Sequence, residues 1–417
     1  MEMSSKTQKN PSIRFKGFTD AWEQRKLGDD KDVRDGTHDS PKYHQEGHPL
    51  VTSKNLNDYG LDMTDVSLIS DADFEAINKR SKVDNGDILF GMIGTIGNPV
   101  IVDRSDFAIK NVALIKEGGD IPNRFLIQLL KSSVFEKYIR NENAGNTQKF
   151  LGLSKIREFT FFTPTIEEQS RIATFFKQLD DTIALHQRQQ DNYKQLKKYM
   201  LQKIFNQEFR FKDKNGNDYP DWEEIALKEL GETFTGLSGK TKENFGKGKG
   251  KFVTYMNVFS NSTANLAMTE NVEIKDGEKQ NEVRYGDIFF TTSSETPDEV
   301  GMSSVWLSHE SNVYLNSFCF GYRLNSESES KVISQFLGAQ LRAEHIRKEI
   351  VLLAQGSTRF NISKAKLIEI PLYLPVIQEQ QKIADFLSML DVRIEQLSQK
   401  VELLKEQKKG LMQKMFV

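Results

Sequence analysis

The sequence predicts an α+β protein: two globular mixed α/β domains joined by two long antiparallel coiled-coil helices, with pseudo-two-fold symmetry. Three observations predict it. Residues 164–205 align without a gap on residues 375–416, each position offset by 211. Both segments carry an apolar heptad seam. The stretches before them repeat only at scattered anchors and hold short apolar runs of strand length. The expected order is a variable domain with an N-terminal tail over 1–163, a constant helix over 164–206, a second variable domain over 207–374 and a second constant helix over 375–417.

The constant segments share Pro164/Pro375, Ile166/Ile377, Glu168/Glu379, Gln169/Gln380, Ile172/Ile383, Phe175/Phe386, Asp180/Asp391, Ile183/Ile394, Lys197/Lys408 and Phe205/Phe416. Each proline stands where a chain leaves a strand, and the glutamates after it favour a first helical turn. In the second copy the seam reads Ile383, Leu387, Leu390, Ile394, Leu397, Val401, Leu404, Lys408, Leu411 and Met415, apolar except at Lys408. Such a repeat marks a coiled coil. About forty residues at ~1.5 Å each make a rod of roughly 60 Å, too long to stand unpacked. Its nearest partner is its own copy, and an antiparallel pair is the simplest arrangement. His186, Gln190 and Lys197 interrupt the first seam. They read either as a register device or an early end of the seam, or as a polar surface for a partner.

The looser anchors repeat in the same order. Gly86-Asp87-Ile88-Leu89-Phe90 matches Gly286-Asp287-Ile288-Phe289-Phe290, and Val51-Thr52-Ser53-Lys54-Asn55-Leu56 matches Val253-Thr254-Tyr255-Met256-Asn257-Val258. Gly145-Asn146-Thr147-Gln148-Lys149-Phe150 matches Gly356-Ser357-Thr358-Arg359-Phe360. Phe15 and Trp22-Glu23 match Phe211 and Trp222-Glu223, which follow the first helix; nothing follows the second at Val417. The repeat is therefore circular, and the two ends of the chain are expected close together. Within the variable domains, strands are expected over 87–90, 100–102, 112–115, 287–290 and 318–324, and helices over 122–139 and 331–353.

Composition narrows the function. Net charge is −2, so any nucleic-acid contact must come from local patches and groove fit, not bulk charge. One patch exists: Lys240, Lys242, Lys247, Lys249 and Lys251 interleaved with glycines, opposed only by Glu243, which reads as a mobile basic loop or a solvated surface. Cys319 is the only cysteine, which fits a reducing cytoplasm and gives neither a disulfide framework nor a cysteine-based zinc site. No run is long and apolar enough to span a bilayer, and residues 1–10 read as a frayed polar tail.

Chemistry is scarce. Gly239-Lys240-Thr241 resembles the end of a phosphate-binding loop, but Phe234 stands where the glycine is needed. There is no Asn-Pro-Pro-aromatic or Asp-Pro-Pro-Tyr tetrapeptide of an amino-methyltransferase. His38, His44 and His48 share one loop, which reads either as a zinc site of three histidines or as a Gly- and Asp-rich loop without metal. No catalytic or metal residue is assigned.

Two equivalent halves suit a target with two halves, of which duplex DNA is the commonest. Loops rich in Gly, Ser, Thr and Asn carry neutral donors and acceptors suited to base edges. The DNA-contact candidates are Gly36, Thr37, His38, Tyr43, Ser53, Lys54, Asn55, Thr95, Thr147, Gln148 and Lys149 in the first half. In the second they are Lys240, Lys242, Lys249, Lys251, Tyr255, Asn257, Thr292, Ser293, Ser294, Ser357, Thr358 and Arg359. Gln148 pairs naturally with adenine and Arg359 with guanine.

The two variable domains, the two constant helices, the circular repeat and the Asp-Gly-Thr-His and Gly-Asp-Ile-x-Phe motifs together resemble the specificity subunit of type I restriction–modification enzymes, over essentially the whole chain. The resemblance implies two target recognition domains reading a split double-stranded DNA sequence, and helices that set the spacer and dock two modification subunits. It implies S-adenosylmethionine on those subunits, and ATP and Mg2+ on motor–nuclease restriction subunits, with no cofactor and no catalysis on this chain. A stand-alone DNA-binding regulator and a coiled-coil protein adaptor are the rival readings.

Overall fold

The computed structural model describes residues 10–57, 60–94, 96–143 and 150–417. The chain forms two compact units, residues 1–189 with 397–417 and residues 190–396. The dividing line cuts both long helices, Ile166–Phe205 and Ile377–Met415, so each unit holds a piece of each.

The two units repeat one topology. In the first, a four-stranded antiparallel sheet runs Val33–Asp35, Val112–Ile115, Ile88–Gly91, Gly97–Ile101 in spatial order. In the second, Gly231–Thr235, Cys319–Leu324, Ile288–Thr291 and Ser303–Val305 follow the same order. A three-stranded sheet stands beside each, with a parallel pair at its heart: His48–Val51 on Ala108–Ile109, and Phe245–Val253 on Val313–Leu315. A two-stranded ribbon leads into each long helix: Glu23–Lys26 with Thr160–Thr163, and Glu223–Ala226 with Pro371–Leu374.

The shared Gly-Asp motif builds the turn into the central strand. Gly86 and Gly286 take φ +93° and +88°, which a side chain disfavours. The aspartate that follows is buried and closes the turn, Asp87 accepting from Asp84 N and Asp287 from Arg284 N, both at 2.7 Å. Each then pairs with a cation on the neighbouring strand or just past its end, Lys116 and Arg323 respectively.

The helices expected over 122–139 and 331–353 are each two: Asn123–Leu130 with Ser133–Glu142, and Ser334–Gln340 with Glu344–Leu352. Ser132 breaks the first by accepting from Val134 N; a serine that can cap the next helix competes with continuing the last. From Phe245 on, where it carries Lys247, Lys249 and Lys251, the lysine-rich segment is the strand Phe245–Val253 rather than a mobile loop. It pairs with Thr269–Val272 through a register shift between Phe245 and Gly250, and Gly246 and Gly248 supply the positive φ that the bulge needs.

Within each unit the long helices run antiparallel. In the first, Phe176 meets Phe416, Asp180 meets Lys408, and Ile183 meets Val401 and Leu404. In the second, Tyr193 meets Arg393, Lys197 meets Asp391, and Ile204 packs with Ile383 and Leu387. The two lysine–aspartate pairs come from repeat-equivalent positions, at 2.6 and 2.5 Å. Lys197 is therefore a cross-helix partner within the seam, the first of the two readings the sequence allowed. His186 is held by Gln189, and Gln190 is buried.

The circular repeat is closed in space. Phe209 N donates to Lys203 O at 3.0 Å as the chain leaves the first helix; at the end of the second helix Ile13 N, from the N-terminal segment, donates to Lys414 O at 3.1 Å. Phe416 fills a socket of Trp22, Phe125 and Phe176, as Phe205 fills one of Trp222 and Phe336. Phe416→Ala is expected to cost ~3–5 kcal/mol, as for a buried aromatic ring, and Phe205→Ala a similar amount. Thermal unfolding checks this, and an unchanged midpoint for Phe416→Ala would mean that the C-terminal turn is not part of the core.

Candidate nucleic-acid interface

At one end of each four-stranded sheet, loops from distant parts of the sequence are tied together by the same bonds. In the 190–396 unit, Leu237 N donates to Leu315 O (2.7 Å), Asn316 N to Val253 O (3.1 Å) and Thr292 N to Phe318 O (2.9 Å). Tyr255 Oη donates to Ser293 O at 2.7 Å, and Ser293–Ser294 pairs with Phe360–Asn361. In the other unit, Thr37 N donates to Ile109 O (3.0 Å) and Lys110 N to Val51 O (2.9 Å). Ser53 Oγ donates to Ile93 O at 3.2 Å, and Ile93 bridges Phe150. Ser53 thus does for the 91–94 loop what Tyr255 does for the 291–294 loop.

Two glycines permit this convergence. A Cβ on Gly36 would lie 2.3 Å from Ile109 O, and one on Gly236 2.1 Å from Asn316 O. Only glycine lets the backbones approach so closely. The Asp-Gly-Thr-His segment therefore has a counterpart in Thr235-Gly236-Leu237-Ser238, which sequence reasoning missed because only the glycine is shared.

The structure sorts the candidate residues. Ser357, Thr358 and Arg359 are exposed on a tight loop closed by the Gln355–Asn361 bridge, immediately beside the Ser293–Ser294 strand. Thr37 and Ser53 are half-buried, while His38, Tyr43 and Lys54 are exposed. Thr95, Thr147, Gln148 and Lys149 lie outside the described residues.

Several candidates are turned inward, and their reassignment has a physical reason. Asn55 is buried; its Oδ1 accepts from Thr52 N and its Nδ2 donates to the carbonyls of Asp62 and Asp65. Asn257 is fully buried, with Nδ2 donating to Asn265 O and Oδ1 accepting from Asn265 N at 2.8 Å. Their hydrogen-bonding edges are consumed in shaping the loops, so neither offers one to a base. Ser293 and Ser294 are buried, and Ser294 Oγ donates to Thr296 O. Thr292 remains half-buried between them and Phe318.

The basic patch is largely neutralised. Lys240 reaches Glu278 at 2.6 Å and donates to Glu273 O, which removes it from any phosphate-loop role. Its ammonium holds the Glu278 carboxyl far below the ordinary range, at about 2. Lys251 faces Glu310, Lys247 faces Glu273, and Lys54 in the other unit faces Asp65. Lys242 and Lys249 are exposed and have no ion-pair partner among the described residues; their ammonium groups remain available to phosphate.

The three histidines of the 38–48 segment go separate ways. His48 stacks on Phe74 at 3.8 Å, and His44 bridges Leu68 through its backbone. His38 Nδ1 lies 2.8 Å from Asn111 Oδ1 and Nε2 3.0 Å from Asp35 Oδ2. Asp35 also holds Arg80. The two acceptors, Asn111 first, raise the His38 pKa above the ordinary histidine value, against burial and the nearby Arg80. Sequence reasoning also passed over Met256 and Phe318, both strongly exposed in the loop cluster. Phe318 was hidden by the apolar run after it, which reads as one strand from 318.

Two copies of one loop cluster, each mounted on a sheet and rooted on a shared helix pair, define a two-part recognition protein. Residues 19–195 and 219–406 each match the type I restriction modification DNA specificity domain. The chain belongs to this family. It is 25% identical over 413 residues to the putative type I restriction enzyme MjaX specificity subunit of Methanocaldococcus jannaschii, covering 94% of this chain and 92% of the relative. It is 22% identical over 364 residues to the MjaVIII specificity subunit of the same organism, covering 80% and 79%. The fold matches the crystal structure of the type I restriction–modification S subunit from M. genitalium at a TM-score of 0.61 and 15% identity, over 98% of this chain and 99% of that one. A chain from a structural study of the assembly of the type I restriction–modification system matches at 0.55 and 16% identity, over 94% and 97%.

Two measurements test the site. With its pKa raised, the contribution of protonated His38 to stability is fully present below the ordinary histidine value, near 6.5, and is lost as pH climbs through the raised one. In an NMR titration His38 should have a midpoint above that value and His345, which burial pushes down, one below it. A His38 midpoint at or below the ordinary value would show that Asn111 presents its amide N–H instead. Asn257→Ala removes both bonds to the Asn265 backbone, each worth ~0.5–1.5 kcal/mol, and should cost ~1–3 kcal/mol in urea unfolding; no loss would return Asn257 to the free edges.

Proposed function

We propose that this chain is the DNA-recognition subunit of a type I restriction–modification complex, each unit reading one half of a bipartite duplex target. The observation that carries the reading is the loop cluster built twice on equivalent scaffolds but faced with different side chains. Family membership supports it, and so does the charge pattern. With three of the five patch lysines internally paired and a net charge of −2, specificity must rest on a few directed contacts rather than on bulk attraction.

The helix pair sets the spacing between half-sites and carries two modification subunits. Large apolar side chains left open on it support the docking role: Leu196, Tyr199, Met389 and Val392 in one unit, Leu185 and Leu403 in the other. A partner that covered them would remove this apolar surface from water. The adenine methylation chemistry and its S-adenosylmethionine belong to the modification subunits. ATP and Mg2+ belong to motor–nuclease subunits, and this chain contributes no catalytic group. The assembled complex works in the cytoplasm.

The test is to co-express the chain with its methyltransferase subunit, map the methylated sites and then measure affinity for duplexes altered in either half. Arg359→Ala should relax one half-site only, by the ~1–3 kcal/mol of a bidentate base contact. Replacing Lys242 and Lys249 should weaken all duplexes alike and reduce the salt slope by about one unit per lost phosphate contact. A uniform loss for Arg359→Ala would assign it to phosphate or structure.

A further inference from the structure

The loop cluster of the 190–396 unit leaves two large apolar side chains in the open, Phe318 at 58% and Met256 at 54% exposure. Scattered exposed apolar residues are ordinary. These two sit on fixed backbone within one cluster. Phe318 N donates to Asn316 Oδ1 at 2.8 Å and its carbonyl accepts from Thr292 N, so its backbone is held where the 291–294 loop begins. Met256 follows Tyr255, whose hydroxyl holds the carbonyl of Ser293 in the same loop. Exposed donors belong to the same cluster: Ser317 precedes Phe318 in the chain, and Arg359 stands just before the strand that pairs with Ser293–Ser294.

An apolar group beside a donor suits one base in particular. In the major groove thymine presents its C5-methyl group next to the O4 acceptor, and the other three bases present polar groups alone. An apolar wedge between base steps would need no donors around it. We propose that Phe318 packs on a thymine methyl group in the half-site bound by this unit, with Met256 widening the apolar surface. This rests on the reading of the chain as a DNA-recognition subunit and names the base that one of its sites requires. The other unit has only Lys110 and Asn111 between the equivalent strand ends at Ile109 and Val112, so the methyl contact belongs to one half-site.

The experiment uses the full chain in complex with its methyltransferase subunits and duplexes bearing the target found by methylation mapping. Each thymine of the half-site, on either strand, is replaced in turn by deoxyuridine, which removes only the methyl group. At one position the substitution should weaken wild-type binding about fourfold, the worth of one buried methyl group. Phe318→Ala should weaken the unmodified duplex by at least that factor and be indifferent to deoxyuridine at that position. Phe318→Leu, still apolar, should keep part of the discrimination, and matching thermal unfolding of the variants excludes a folding defect. The proposal fails if neither strand of the half-site contains thymine, if no single deoxyuridine costs the wild type anything, or if Phe318→Ala remains as sensitive to deoxyuridine as the wild type. An equal loss on every duplex would mean that the ring wedges or packs on sugar, which also overturns it. Failure of the underlying reading is distinct: the wild-type complex would then show no target preference before any variant is made.

Discussion

Each long helix is rooted by a buried carboxylate held by an arginine from a distant segment. Glu168, 1% exposed, accepts two bonds from Arg14, and Glu379, 0% exposed, accepts two from Arg210. In both cases the arginine also donates to a backbone carbonyl, Asp20 O or Pro220 O. The glutamate lies in the first turn, where the helix N-terminus favours negative charge. A glutamine beside it closes the turn: Gln169 donates to Pro164 O and Gln380 to Pro375 O. Removing either arginine would leave an uncompensated buried charge, a loss of ~3–5 kcal/mol. The pairing fixes where the ribbon ends, where the helix begins and how the preceding segment crosses it; the sheet and its loops then hang from that point.

This root explains why the repeat can be circular. In the 190–396 unit the arginine arrives on a chain that has just left the first helix, with Phe209 bonded to Lys203. In the other unit it arrives from the N-terminal segment, with Ile13 bonded to Lys414. The same junction is covalent once and non-covalent once. The aromatic sockets of Phe205 and Phe416 and the paired lysine–aspartate contacts supply the cohesion that a peptide bond supplies elsewhere. Connectivity is therefore incidental to the unit, and packing is what defines it.

The constant parts were legible in the sequence because their signals are periodic or paired. A seam that repeats for ten turns and an offset shared by Pro, Glu, Gln, Asp, Lys and Phe admit few other folds. Strands such as Val112–Ile115 were legible from continuous apolar runs. The helix break at Ser132 was not, since one serine cap competes with helix propensity on both sides and only packing decides. The site was less legible still. Asn55 and Asn257 look like readers by residue type, yet three-dimensional closure of their loops turns them inward. Lys240 looks like a phosphate ligand until Glu278, far along the chain, is brought against it.

Recurrence and exposure are related here in a way that inverts a common intuition. Six polar residues that occur in both halves are consumed by the fold: Asp87 and Asp287 close turns, Asn55 and Asn257 shape loops, Glu168 and Glu379 root helices. Each is buried and internally bonded. In the loop clusters, several positions that remain open around them differ. Lys54 stands where the other half has Met256, His38 where it has Ser238, and Asn111 in a connection that holds Phe318. A scaffold that must build the same loop cluster twice cannot vary the groups that hold the loops together, because an unpaired buried polar group costs more than most surface contacts return. Whatever distinguishes the two halves must therefore sit on side chains that no structural bond requires. Two half-sites of different sequence can be read by one architecture for this reason: the bonds that place the loops are separate from the groups the loops present.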